Sequence, residues 1–358
     1  MSESSRVPPV SSGTDRVIYI QPAAPAAPPK RSIWRMILSY LGVSLIAFSV
    51  LMNLMLLSWF SALSRQGDEV REKLISGDLT ARHKVAVVTV SGMIVEGNAG
   101  TMGDDGNLGE VLAQLRRAQR DKDVVGVVLE VNSPGGSVTA SDIILHEVEK
   151  TKQAGKRVVV WMGSLAASGG YYVSCKADRI YASPTTLTGS IGVIMSLFNV
   201  ESLSDKVGIR MEVISCGKFK EMGSPFRTMS PEERDKFQAL ADAAFSRFKQ
   251  VIVEGRTKTM TPEAVDRLAD GSIMTPQDAK DGGLIDAIDY FEAAVDDAKA
   301  GFMDASVVRY HRPGGLLGAL FARTNVPSRE LSVRIDTPLT NLQPGLYYLW
   351  MPGLPSER

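Results

Sequence analysis

The chain predicts an α/β fold built on a largely parallel sheet, and three observations carry that expectation. Val124–Val131 is a continuous apolar run, which marks a strand covered on both faces. Strand-like runs alternate with stretches of helical spacing, the order that βαβ units require. Helix starts punctuate the second half: Ser230-Pro231-Glu232-Glu233, Thr261-Pro262-Glu263 and Thr275-Pro276-Gln277 each set a hydroxyl cap before a proline at the first helical position.

Residues 1–33 are rich in Pro, Ala and Ser, including the run from Gln21 to Pro29, and cannot bury a core. A disordered tail is expected there. Residues 34–63 lie within or just before an uncharged stretch from Met36 to Ser64. About 20 apolar residues span a bilayer, so this stretch predicts one uncleaved transmembrane helix near 36–62, with Trp34 and Trp59-Phe60 as interface aromatics. Lys30, Arg31 and Arg35 precede it, whereas Arg65 stands alone just beyond, a bias that puts the N-terminus in the cytoplasm. Residues 64–83 read as a stalk, helical and charged over 66–82.

A catalytic-sized domain occupies 84–311. Val85–Val90 reads as a strand and Gly97–Gly106 as a polar, glycine-rich loop. Leu108, Val111, Leu112 and Leu115 share one face, which predicts a helix to Arg120. Asn132–Ser137 breaks the Val124–Val131 strand, and a helix runs from about Thr139 to Gln153. A third strand, Arg157–Trp161, leads through the small residues Leu165–Gly170 into a helical segment ending at Cys175. Short strands are expected at Arg179–Ala182, Ser190–Ile194 and Met211–Ser215, with a helix at 200–207. The Ser230 cap starts a long helix to about Arg256, two shorter helices come after it, and Gly282–Asp286 turns into a last strand. Residues 312–358 have no periodicity and are left unassigned.

Lysine plus arginine and aspartate plus glutamate balance at 40 each, so no bulk field draws nucleic acid. Cys175 and Cys216 are too few for a disulfide framework and are expected as buried or half-buried thiols. Metal-ligand spacing is absent, and neither metal nor cofactor is expected.

Two motifs carry chemistry. In W-M-G-S-L-A-A-S-G-G-Y-Y, from Trp161 to Tyr172, a strand meets a helix through a small-residue turn. That geometry raises the Ser168 hydroxyl, and the N–H of Gly169 points at the same spot. Ser168 is therefore a candidate nucleophile, although the run equally suits a close strand–helix packing turn. Asn132-Ser133-Pro134-Gly135-Gly136 lies at the carboxyl end of a buried strand, where α/β sheets bind ligands. A free N–H there, paired with that of Gly169, would make an oxyanion hole; the plain alternative is an ordinary turn.

A serine nucleophile needs a base. His83, His146 and His311 have no suggestive setting, which leaves lysine, as in Ser–Lys hydrolases. Lys218 and Lys220 sit in a loop after the expected Met211–Ser215 strand, and spacing alone favours neither over a solvated pair. A lysine base works as a neutral amine, so the usual value of about 10.4 must fall to roughly 7–8 by removal from water. Ser190, in T-G-S-I-G-V, offers a hydroxyl to hold such an amine.

Four motifs in order, N-S-P-G-G, G-S-L-A-A-S-G-G-Y-Y, T-G-S-I-G-V and G-K-F-K-E-M-G-S-P-F-R, closely resemble the signal peptide peptidase A family of membrane-anchored serine endopeptidases, over about residues 84–310. The resemblance implies that Ser168 is the nucleophile, Lys220 the general base and Ser190 the hydroxyl holding its amine. It makes Gly136 and Gly169 the oxyanion donors. It implies a crotonase/Clp-protease-like ββα superhelix with a C-terminal helical arm. It also implies homo-oligomers, for a single αβ unit a ring of about eight protomers, in which serine and lysine can come from neighbouring subunits. Implied substrates are extended apolar peptides such as signal-peptide remnants. With the basic flank, it implies a single-pass protein of a bacterial inner membrane with its protease domain extracytoplasmic. The competing functions are an acyl-CoA enzyme on the crotonase superhelix and a non-catalytic membrane scaffold.

Overall fold

The computed structural model of the chain describes residues 33–67, 70–78, 80–97, 106–311 and 345–350. The tail at 1–32, the centre of the Gly97–Gly106 loop and most of 312–358 lie outside the described residues. The chain divides into two compact units, Met1–Ala62 and Leu63–Arg358. Helix α1 spans Ile33–Gly67, and its Met36–Ser58 stretch is long and apolar enough to cross a membrane.

The second unit is a mixed sheet with helices on both faces. Its strands are β1 (Arg71–Ser76), β2 (Lys84–Ser91), β3 (Val124–Ser133), β5 (Arg157–Ala167), β6 (Arg179–Ala182), β9 (Ala287–Ile288) and β10 (Ser306–His311), ordered β1-β10-β2-β3-β5-β6-β9. All neighbours are parallel except β1, which closes one edge antiparallel to β10. Alternate residues of each central strand feed opposite cores. Ala86, Val88, Leu129 and Val160 face one side. Packed there are helices α2 (Gly106–Arg120), α3 (Val138–Gln153) and the long α6 (Pro231–Gly255).

Val85, Val87, Val128 and Val159 face α9 (Phe291–Ala298) through Ala294, Val295 and Ala298. Each fully buried valine contributes about 1.5–3 kcal/mol. At Gly126 a Cβ would stand 1.9 Å from the Ala298 carbonyl oxygen, so glycine is what lets α9 lie directly on β3.

Capping forms as the sequence implies. Ser230 Oγ accepts from Glu233 N–H at 3.3 Å while Glu233 Oε2 accepts from Ser230 N–H at 2.9 Å, a complete capping box on α6. Thr261 and Thr275 cap α7 (Pro262–Leu268) and α8 (Pro276–Asp281). The helix expected at 200–207 forms as α5 (Glu201–Val207). At its other end α6 is tied to the sheet: both Asp286 oxygens accept from Arg256, at 3.0 and 2.8 Å, and Asp286 also accepts from Ile180 N–H at 2.7 Å.

Four local expectations are corrected. Within the stalk expected to be helical, Arg71–Ser76 is instead a strand, β1, because Glu72 and Leu74 turn inward when the segment adds to the open edge of β10. The third strand does not stop at Trp161; β5 runs to Ala167. Ser190 does not open a strand. It comes after β7 (Leu187–Gly189), which pairs antiparallel with β8 (Ile273–Met274), and Ile194 makes only an isolated bridge. Met211–Ser215 is an exposed, unpaired coil, since no sheet edge reaches it. Beyond the last strand expected come α9 and β10.

Candidate active site

The bend in β5 builds the site. Val131 of β3 pairs with Met162, but Ser133 pairs with Ala166, so β5 carries extra residues at 163–165. Such a bulge turns the strand and re-aims the residues beyond it. Before it β5 pairs with β6; after it, Leu165–Ala167 pair with β7. The freed backbone groups are satisfied: Thr186 Oγ1 donates to the Gly163 carbonyl at 2.6 Å, and Leu165 N–H donates to Asn132 Oδ1 at 3.2 Å.

Ala167 and Gly189 are paired, so the next residues, Ser168 and Ser190, leave adjacent parallel strands side by side. Both are non-glycine residues at positive φ, 52° and 48°. Such conformations cost roughly 1–3 kcal/mol each and persist only where the surroundings enforce them. Ser168 N–H donates to Gly189 O and Tyr172 N–H to Ser168 O, each at 2.8 Å, and Ser190 N–H donates to Ser272 O at 2.6 Å. Ser168 is 1% exposed and Ser190 6%. Ser168 stands at the N-cap of α4 (Gly169–Ser174), yet its side chain accepts no capping bond, which leaves the hydroxyl free for other work.

The glycines are required by close approach. A Cβ on Gly169 would lie 2.7 Å from Ser141 Oγ and 3.0 Å from Gly135 Cα. Gly135, at φ 98°, opens the short strand β4 (Gly135–Ser137), which continues past Pro134. Its carbonyl accepts from Ile94 N–H at 2.8 Å. Gly135 is thus brought against Gly169, the residue after Ser168, and Gly136 follows it in β4.

Lys220 is not. It is exposed, and no hydrogen bond joins it to Ser168 within the chain. Its loop is nevertheless anchored: Arg227 donates to Glu233 at 2.9 and 2.5 Å and to the Glu221 carbonyl at 2.9 Å, clamping 221–227 onto the start of α6. Sequence reasoning missed this clamp, although Arg227 ends a quoted motif. The Lys218 ammonium pairs with Glu232 at 2.5 Å, whereas Lys220 makes no ion pair with a described residue. His83 packs on Phe302, and His146 and His311 are exposed. Cys175 is buried, with its thiol pushed up to about 12 by burial; Cys216 is exposed rather than half-buried, and the two are not bridged.

The clamp has a pH signature. The Arg227 hydrogen bond, then the Ser230 N–H, hold Glu233 down to about 2 from its ordinary 4.5. A depressed carboxylate contributes stability that is whole above the ordinary value and lost as pH falls through the folded one. Melting temperature is therefore expected to fall between pH 4.5 and about 2 in the native chain, and to fall less in Glu233→Gln. Parallel curves for the two proteins would show that the clamp contributes nothing.

The model of peptidase family S49 matches residues 150–303. A protein of Enterococcus faecium named as a signal peptide peptidase, SppA, is 36% identical over 247 residues, 68% of this chain and 71% of that one. The chain belongs to peptidase family S49. Protease 4 of Salmonella typhi is 38% identical over 59% of this chain, and Protease 4 of Haemophilus influenzae 38% over 61%. This S49 chain matches only 33% and 34% of the length of those two proteins.

Proposed function

We propose that this S49 chain is a membrane-anchored serine endopeptidase in which Ser168 is the nucleophile and Lys220, from a neighbouring copy, the general base. The observation carrying the reading is the enforced, strained pair Ser168 and Ser190, with Gly135 of β4 set against Gly169. A neutral Lys220 amine, held by the Ser190 hydroxyl, takes the Ser168 proton as Oγ attacks a peptide carbonyl. The N–H groups of Gly136 and Gly169 bind the developing oxyanion, each contributing about 3–4 kcal/mol. Lys220 then protonates the leaving amine, and water hydrolyses the acyl-serine.

The exposed apolar side chains of Phe198, Leu203, Val207, Ile209, Met211 and Ile214 around the Lys220 loop support its burial against a second copy. A ring of such copies, about eight by resemblance to the short members, would cover them. The proposed fold is the crotonase/Clp-like superhelix with the α6–α8 region as its helical arm. Proposed substrates are extended apolar peptides such as signal-peptide remnants, in keeping with the name of the Enterococcus relative. The α1 anchor, with its N-terminus in the cytoplasm of a bacterium, would hold the domain on the outer face of the inner membrane near that supply.

A fluorophosphonate probe tests the reading on the full chain in detergent. Peptide mapping is expected to find the label on Ser168. Label elsewhere, or none, removes the proposed nucleophile.

A further inference from the structure

The outer edge of the sheet carries like charges face to face. Strand β1 runs antiparallel to β10, with Arg71 opposite His311 and Lys73 opposite Arg309. Side chains two apart along a strand share a face, and residues opposite each other across a ladder share it too. All four basic residues therefore stand on one face of this edge. Glu72 and Leu74 take the other, where Glu72 accepts from Lys84 at 3.1 Å and from Arg117 at 3.4 Å. Arg71, Lys73 and His311 are exposed, and the Arg309 side chain is 43% exposed.

Like charges directly opposite each other repel, so two such pairs in succession cost the folded edge stability. Little among the described residues relieves that cost. Glu130 accepts from Arg309 at 2.9 Å, but it also accepts from Thr89 at 3.2 Å and meets only one of the four. Arg71, Lys73 and His311 have neither an ion pair nor a side-chain hydrogen bond to a described residue. The face is short of anions.

It also begins where the membrane-spanning stretch has just ended. Ser58 closes that stretch, α1 runs on to Gly67, and β1 opens at Arg71. The helical part spans about 14 Å and the connecting chain at most about 14 Å. The tether alone thus keeps Arg71 within about 28 Å of the apolar edge of a bilayer. A surface held so close meets the bilayer at an effective concentration far above that of a free protein. Anionic headgroups supply the missing charge, strengthening attachment about fivefold for each Lys or Arg near them.

We propose that the face formed by Arg71, Lys73, Arg309 and His311 is a docking surface for anionic phospholipid headgroups, which lays the β1–β10 edge of the domain on the bilayer. The inference rests on the membrane-anchor part of the reading above and not on the identity of nucleophile or base. Headgroup phosphates between the opposed side chains remove their repulsion. Arg71 and His311 lie at the carboxyl end of β10, and Ser168 leaves the carboxyl end of β5 in the same largely parallel sheet. Docking therefore holds the end of the sheet that carries Ser168 at a set height above the lipid.

Acetylation of lysine amines by an N-hydroxysuccinimide ester, read by mass spectrometry, tests this on the full chain in lipid nanodiscs. Discs of phosphatidylcholine alone are compared with discs of equal parts phosphatidylcholine and phosphatidylglycerol. Lys73 is expected to react about tenfold more slowly in the anionic discs, and exposed Lys258 at the same rate in both. Salt at about 0.5 M should abolish the difference. Arg71→Gln and, separately, Arg309→Gln should each cut the Lys73 protection several-fold. Arg71 is exposed and bonded to no described side chain, so its variant answers even where Arg309→Gln does not fold. Equal Lys73 rates in the two discs overturn the inference, whether the face is open or is covered by another part of the chain or a second copy. Equal slowing of Lys258, or slowing of Lys73 by inorganic phosphate in neutral discs, overturns it as well. In each of these cases a chain lodged in the discs leaves the anchor standing; a full chain that enters neither disc ends both.

Discussion

Ser168→Ala is expected to abolish peptide hydrolysis: on the proposed mechanism turnover falls by about 10⁴-fold or more, because removing a nucleophile that acts as a unit with its base costs nearly all of their joint contribution. The folded state is expected to be indifferent. The Ser168 side chain caps nothing, and alanine meets the same strain at φ 52° as serine does. Ser168→Gly separates strain from chemistry. Glycine relieves roughly 1–3 kcal/mol of backbone strain but adds about 0.5–1 kcal/mol of unfolded-state entropy. A net gain of about 1 kcal/mol is expected, visible as a higher melting temperature in an inactive protein. Turnover within about tenfold of native in Ser168→Ala would place the chemistry elsewhere; a glycine variant less stable than native would refute the strain.

Lys220→Ala is the second large effect expected, a loss of about 10³-fold or more if Lys220 is the proposed base, since a serine hydroxyl is a weak nucleophile without one. Lys218→Ala should keep most of the activity, its ammonium being engaged with Glu232 on an exposed surface. Because Lys220 stands apart from Ser168 in one chain, the two dead variants should complement. Co-expressed Ser168→Ala and Lys220→Ala protomers will build some sites with both groups native and recover measurable turnover. Mixed oligomers as inactive as their parents would return the base to its own chain. Reversed effects at 218 and 220 would move the assignment by two residues.

How much was legible before the fold was known depended on the range of the forces involved. The capping boxes at Ser230 and Thr275 and the buried strands Val124–Val131 and Val85–Val90 use hydrogen bonds or burial patterns closed within a few residues. The motif around Ser168 was legible too, because a small-residue turn between strand and helix is local geometry. The stalk that became β1 was misread because its charges fit an exposed helix as well as an edge strand, and only the open edge of β10 decides between them. Met211–Ser215 has the composition of a strand and no partner. The reach of β5 to Ala167 was hidden by small residues that resemble a turn, whereas the bulge opposite Asn132 and Ser133 keeps them in the sheet.

The sequence by itself determined the chemical cast: a hydroxyl on a tight turn, two glycine-bearing loops, a lysine-bearing loop and an apolar anchor. Which of these meet was decided only by tertiary structure. Pairing Ala167 with Gly189 sets Ser168 beside Ser190, strand β4 brings Gly135 to Gly169, and Lys220 is left on an exposed loop. Tyr348 pairs with Gly136 from a segment without periodicity. Such placements depend on main-chain pairing between residues far apart along the chain, and main-chain groups are the same in every residue, so no local pattern of side chains could have announced them.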